Sequence, residues 1–270
     1  MTEPKSALII GGSRGIGHAS AILLAQEGYD IAFTYATCEE AALETKAIIE
    51  AMGRRCFCYQ ASLENSDVPT QITEQAIAGL GRLDALVYVA GRTNWTHLTQ
   101  FAVEKADEMY MLNYRAPLLC TQAAAKHMIE RGIRGSIVYI TSCHGLRAYP
   151  NDAVYGGLKA ALNRSTESIA LELSEHGIRV NSVAPGMINV RDGDGDERLY
   201  REWARKIPLG RYGKASEVAN AVAFLASEKA SYITGVTLKV DGGLILPGMP
   251  EDSKPEAGYG WAQRKYKDKG

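Results

Sequence analysis

The stretch "ALIIGGSRGIGHAS", residues 7–20, decides the fold. Four apolar residues, Ala7–Ile10, run straight into a turn with glycines at 11, 15 and 17, and a helical pattern follows near 15–27. A strand that turns so sharply into a helix needs backbone without Cβ. It leaves free N–H groups and the positive helix end facing outward, an arrangement suited to phosphate. A glycine-rich string alone says little, but between a first strand and a helix with a second strand beyond, it reads as a dinucleotide-binding turn. Gly11, Ser13, Arg14, Gly15, Ile16 and Gly17 are therefore candidate cofactor contacts.

From that unit the pattern repeats along the chain. Strand-type runs at 7–10, 31–35, 56–60, 86–90, 137–141, 180–184 and 236–240 alternate with helical stretches near 15–27, 39–51, 68–80, 103–131, 154–175 and 216–227. Several strands are almost wholly apolar, as expected where both faces of a sheet are covered. The alternation predicts an α/β fold, a Rossmann-type doubly wound parallel sheet of about seven strands with helices on both faces. We expect one catalytic domain over 1–246 with a substrate lid near 187–207, and a C-terminal extension over 247–270. The "DGDGD" run at 192–196 lacks the glycine and glutamate positions of a calcium loop, so no metal site is expected.

Composition narrows the function. The 270 residues are 46% hydrophobic and 23% charged, with a formal net charge of −1. That balance points to neither a nucleic-acid nor a membrane partner. Five cysteines, an odd number without CxxC spacing, suit a reducing compartment, and a cytoplasmic location is expected.

The end of the second strand chooses the cofactor. A carboxylate there would bond the ribose 2′-hydroxyl of NAD. Tyr35, Ala36 and Thr37 occupy the position instead, and Arg14 is available to pair with a 2′-phosphate. NADP(H) is favoured over NAD(H).

A second stretch, "AVYGGLKAAL" at 153–162, places Tyr155 and Lys159 four residues apart, and therefore on one helix face. Glycine inside a helix is unfavourable by about 1 kcal/mol relative to alanine, so Gly156 and Gly157 call for a reason. Close approach of cofactor and substrate to the helix wall is the expected one.

Ser142, Tyr155-Gly-Gly-Leu-Lys159, the glycine turn, "NSVAPG" (181–186) and "VDGG" (240–243) together resemble a classical short-chain dehydrogenase/reductase, over about residues 5–245. The resemblance implies an enzyme interconverting a secondary alcohol and a carbonyl by hydride transfer. It implies Tyr155 as general acid/base, Lys159 as its partner, Ser142 as the holder of the substrate oxygen and Asn113 as support for a water relay. Cofactor contacts are implied at Ser62, Leu63, Ala90, Gly91, Pro185, Gly186 and Ile188, with Tyr155 and Lys159 also touching it. A neighbouring ammonium, together with the positive charge of the oxidised nicotinamide, is expected to lower the tyrosine pKa from its usual value near 10. His144 and Tyr149 are candidate substrate-pocket residues.

The chain departs from the family pattern at Ile10, Ser62, Tyr88-Val89 and Val190. Threonine, aspartate, two asparagines and threonine are usual there, and the strand–loop hydrogen bonds of the missing asparagine need a replacement. The C-terminal part is similar to both 3-oxoacyl-carrier-protein reductases and sugar dehydrogenases. A sugar, polyol or small hydroxy compound is slightly favoured as substrate, and a homotetramer is the implied assembly. The alternatives are a 3-oxoacyl-carrier-protein reductase and, from another class, a catalytically silent nucleotide-binding sensor.

Overall fold

The computed structural model describes residues 4–190 and 202–246. Seven parallel strands form one sheet: β1 (Ser6–Ile10), β2 (Asp30–Tyr35), β3 (Cys56–Gln60), β4 (Ala85–Tyr88), β5 (Ser136–Ile140), β6 (Arg179–Pro185) and β9 (Thr237–Val240). Their order across it is β3-β2-β1-β4-β5-β6-β9. Two short strands, β7 (Ile188–Asn189) and β8 (Gly213–Lys214), pair separately and had no counterpart in the sequence reading.

The helices are α1 (Gly15–Gln26), α2 (Glu39–Ala51), α3 (Val68–Leu80), α4 (Val103–Tyr110), α5 (Ala116–Glu130), α6 (Ala153–Leu173) and α7 (Ala215–Ala226). The helix expected over 103–131 is interrupted by a π-helical turn, Met111–Arg115, which joins α4 to α5. Such turns widen the helix by one residue and are common at functional sites.

Side chains alternate across a strand, and in β1, β2, β4 and β5 both faces are buried. Ala7, Ile9, Phe33, Val87 and Val138 pack with α1, α2 and α7 on one side. Leu8, Ile10, Leu86, Ile137 and Tyr139 pack with α3, α5 and α6 on the other. This is why the strands read as continuous apolar runs.

Strand order reverses direction beside β1, whose two neighbours are β2 and β4. In open α/β sheets the crevice beyond the carboxyl ends at that point is where ligands bind. The glycine turn after β1 and residues 90–91 after β4 both open there. Of the expected lid, 191–201 lies outside the described residues, as do the run at 192–196 and the extension over 247–270.

Candidate active site

The glycine turn is shaped by contacts that exclude side chains. A Cβ on Gly17 would fall 1.9 Å from the carbonyl oxygen of Gly11, so α1 can press against the strand only with glycine there. Gly11 (φ 91°) and Gly15 (φ 54°) adopt left-handed backbone. The Gly11 amide donates to Thr34 Oγ1 at 2.9 Å and the Gly12 amide to the Thr34 carbonyl at 2.8 Å, so β2 holds the turn. Ile10, at the usual threonine position, contributes its carbonyl, which accepts from the Val89 and Ala90 amides, both at 2.9 Å.

At the mouth of α1, no side chain caps the helix and no acidic residue lies in its first turn. Arg14 sits exposed at the cap position. Tyr35 is buried at the end of β2, and Ala36 and Thr37 are exposed beyond it. These features fit an anionic dinucleotide. Ser62 is exposed and Leu63 buried just after β3. Pro185 ends β6, the Gly186 amide bonds Val240, and Ile188 pairs with Gly213. Val190 lies against Gly15, where a Cβ would come 3.2 Å from the valine Cβ.

β4 ends in the loop that faces this turn, and Tyr88 ties it down. Its buried hydroxyl donates to the Leu112 carbonyl in the π turn at 2.7 Å and so ties the end of β4 to that turn. Asn113, in the same turn, donates to the Arg92 carbonyl at 2.9 Å and accepts from the Arg92 amide at 3.3 Å. Its carboxamide therefore clamps the loop. Gly91 fits between two groups: a Cβ there would stand 2.8 Å from Asn113 Oδ1 and 3.4 Å from Lys159 Nζ.

Ser142 lies two residues beyond β5 and caps a short 3₁₀ turn, Cys143–Gly145, its Oγ accepting from the His144 amide at 3.1 Å. Its hydroxyl also lies beside the phenol of Tyr155, in the first turn of α6. Lys159, one turn on, is 2% exposed. Its Nζ donates to the Ile140 carbonyl at 3.1 Å and stands 5.6 Å from the centre of the Tyr155 ring. Ser142, Tyr155, Lys159, Gly91 and Asn113 thus converge beyond β4 and β5.

Two expectations need correction. The tyrosine pKa is not lowered by the protein's own groups: burial pushes it up to about 12, and the neighbouring Ser142 hydroxyl offsets only part of this. Burial also pushes the Lys159 ammonium down to about 8. Desolvation favours the uncharged form of each, so the same cause moves acid and base in opposite directions. Gly156 in α6 also serves another purpose than the one expected. A Cβ on Gly156 would fall 2.7 Å from Asp152 Oδ2 and 3.0 Å from the His144 carbonyl, so the loop before the helix fills that space. Gly157 faces open space.

His144 stacks on Tyr149 with ring centres 4.2 Å apart and meets Tyr155 edge-on at 5.8 Å. Its Nδ1 bonds Asp152 Oδ2 at 2.7 Å. Asp152, which the sequence reading missed, precedes α6 at the cap position but makes no capping hydrogen bond. A cap at such a residue is worth roughly 0.5–2 kcal/mol, here forgone in favour of the imidazole. Aspartate at a helix start beside a loop histidine was the available signal. Cys143 is buried, which raises its thiol pKa and makes it unreactive.

Residues 11–245 match the family model described as enoyl-(acyl carrier protein) reductase. The chain belongs to the short-chain dehydrogenase/reductase family. Among its relatives, this dehydrogenase/reductase is 38% identical over 248 residues to the 3-oxoacyl-[acyl-carrier-protein] reductase FabG of Staphylococcus aureus, a match covering 91% of this chain and 100% of that one. Among solved structures it resembles acetoin dehydrogenase YohF from Salmonella typhimurium, with 37% identity, TM-score 0.86, and 92% and 98% of the two chains covered. Acetoin dehydrogenase from Enterobacter cloacae is 35% identical with TM-score 0.88, and 94% and 100% are covered. The chain is therefore an oxidoreductase acting between CH–OH and C=O, in a family that works with nicotinamide cofactors. Among the described residues, no helix is long and apolar enough to cross a membrane.

Proposed function

We propose that this enzyme interconverts a secondary alcohol and a ketone with NADP(H), with Tyr155 as general acid/base. The observation that carries the reading is the half-buried Tyr155 phenol, with the Ser142 hydroxyl beside it and the buried Lys159 ammonium one helical turn away. Bound, the nicotinamide supplies or accepts the hydride. The chain's task is the accompanying proton. In reduction, the Tyr155 hydroxyl gives its proton to the substrate oxygen while Ser142 holds that oxygen in line. In oxidation, the phenolate takes the proton back, and the positive charge of Lys159 stabilises it. Lys159 would also hold the cofactor ribose, and Asn113 supports the proton relay by holding the loop beside it. The remaining cofactor contacts are those named from the sequence, along the crevice from the glycine turn to Ile188.

NADP(H) is preferred because no carboxylate stands at residues 35–37 and Arg14 is exposed at the α1 cap. A small hydroxy compound, sugar or polyol is the favoured substrate, and the likeness to two acetoin dehydrogenases supports the first of these. The likeness to FabG supports a 3-oxoacyl-carrier-protein reductase as the second reading. We further infer one catalytic domain over 1–246 with its lid at 187–207, a cytoplasmic setting consistent with five free cysteines, and a homotetramer. Tyr110, Ile129 and Leu171, apolar and exposed on α4, α5 and α6, are suited to such packing.

The test is Tyr155→Phe assayed with NADPH, NADH and a carbonyl panel. The phenol's removal lowers kcat by at least about a hundredfold while cofactor affinity is retained. Undiminished turnover would refute the role of Tyr155, and a wild type inert on every carbonyl would favour the silent sensor.

A further inference from the structure

We propose that His144, held by Asp152, determines specificity: its Nε2 accepts a hydrogen bond from a hydroxyl on the carbon beside the reacting carbonyl. Small vicinal hydroxyketones and the corresponding diols are then the preferred substrates. This rests on the assignment of Ser142 and Tyr155 as the groups that receive the reacting oxygen.

The first argument is position. The His144 amide donates to Ser142 Oγ at 3.1 Å, and the imidazole meets the Tyr155 ring edge-on with centres 5.8 Å apart. His144 therefore adjoins Ser142 through its backbone and Tyr155 through its ring, a position from which the imidazole can reach an oxygen one carbon further along the substrate.

The second is orientation. Nδ1 donates to Asp152 Oδ2 at 2.7 Å, and Asp152 is 5% exposed, so the carboxylate is a rigid partner. A histidine whose Nδ1–H is so engaged carries its lone pair on Nε2 in the neutral form, ready to accept from a hydroxyl. The ring faces are constrained as well, one by stacking on Tyr149 and the edge by Trp95 at 5.1 Å.

The third is the local sacrifice. Asp152 stands at the start of α6 yet caps nothing, and its Oδ1 is buried without a partner. Gly156 supplies the room it occupies. A purely structural aspartate would turn to the helix amides. An open groove of about 540 Å³, lined by His144, Tyr149, Asp152, Thr96 and Leu98, lies alongside and can admit a small polar molecule.

The experiment compares acetoin, its O-methyl ether and butanone as substrates with NADPH and NADH. The wild type is expected to favour acetoin over both others by about tenfold or more in kcat/KM, because the ether cannot donate and butanone has no second oxygen. His144→Phe keeps the stacking on Tyr149 and removes the nitrogen, and should reduce the acetoin-to-butanone ratio about tenfold, chiefly through KM. Asp152→Asn should raise the KM for acetoin more than it lowers kcat. The proposal is overturned by an ether as good as acetoin, a comparison that needs no variant, or by an unchanged ratio in His144→Phe. A wild type that reduces other carbonyls but not acetoin also overturns it and leaves the assigned reaction intact. Inactivity on all carbonyls removes both.

Discussion

Lys159 donates to the backbone carbonyl of Ile140 at 3.1 Å, and this is the hydrogen bond that holds its ammonium in the interior, close to the Tyr155 ring. One carbonyl dipole is poor compensation for lost hydration, and burial accordingly brings the lysine down to about 8.

That shift makes stability depend on pH in a defined direction. An unfolded lysine titrates near 10.5 and the folded one near 8, so between those values the unfolded chain binds more protons and stability rises with pH. Below pH 8 the full penalty, on the order of 3 kcal/mol, is present. Lys159→Met should therefore stabilise the cofactor-free protein at pH 7 by on the order of 2 kcal/mol, after subtracting about 1 kcal/mol for the Ile140 hydrogen bond. The gain should disappear by pH 10.5 while catalysis is largely lost. Thermal melts of both proteins across pH measure this; a gain that does not vary with pH would mean the ammonium is hydrated.

The end of β2 offers a cofactor test. Ala36→Asp puts a carboxylate where a 2′-phosphate would lie and should lower kcat/KM for NADPH by about tenfold or more, since like charges brought together at a binding site are unfavourable by several kcal/mol. NADH should suffer less. Steady-state kinetics with both cofactors decide it, and an unchanged ratio would remove residues 35–37 from cofactor choice.

Tyr88→Phe removes the donor to Leu112 and leaves a buried carbonyl unpaired. The expected loss is about 1–3 kcal/mol. In a protein of this size that lowers Tm by about 2–4 °C for each kcal/mol. Calorimetry checks it, and an unchanged Tm would show that the hydroxyl is not what ties β4 to the π turn.

Gly91 and Gly157 should respond oppositely to alanine. At Gly91 the new Cβ meets Asn113 Oδ1 at 2.8 Å, so the carboxamide must give way, with a loss of about 1–3 kcal/mol and weaker cofactor binding. At Gly157 nothing lies within 4 Å, and alanine should add up to about 1 kcal/mol by helix propensity alone. Denaturant titrations of the two variants make the comparison.

Much of the sheet was legible because its strands obey a simple rule. Ala7–Ile10 and Ala85–Tyr88 are apolar throughout since both faces are covered, and the glycines at 11, 15 and 17 mark the turn by backbone necessity. The π turn was not legible: Met111–Arg115 has an ordinary helical composition, and its widening accompanies the Tyr88 bond to Leu112 and the Asn113 bond to the loop after β4. Asp152 was passed over for a similar reason. In sequence it is an ordinary helix-start aspartate, and only the fold brings its carboxylate to His144.

The chain's order of residues alone determined the alternation of strands and helices, the location of the phosphate turn and the one-turn spacing of Tyr155 and Lys159. These are local properties, set by periodicity and by the backbone freedom of glycine. Tertiary structure decided the rest: that burial drives the phenol and the ammonium apart in pKa, that Gly156 makes room for an aspartate, and that Tyr88 ties β4 to the π turn. Each of these depends on which groups share a desolvated space, and that is settled only when distant segments pack together.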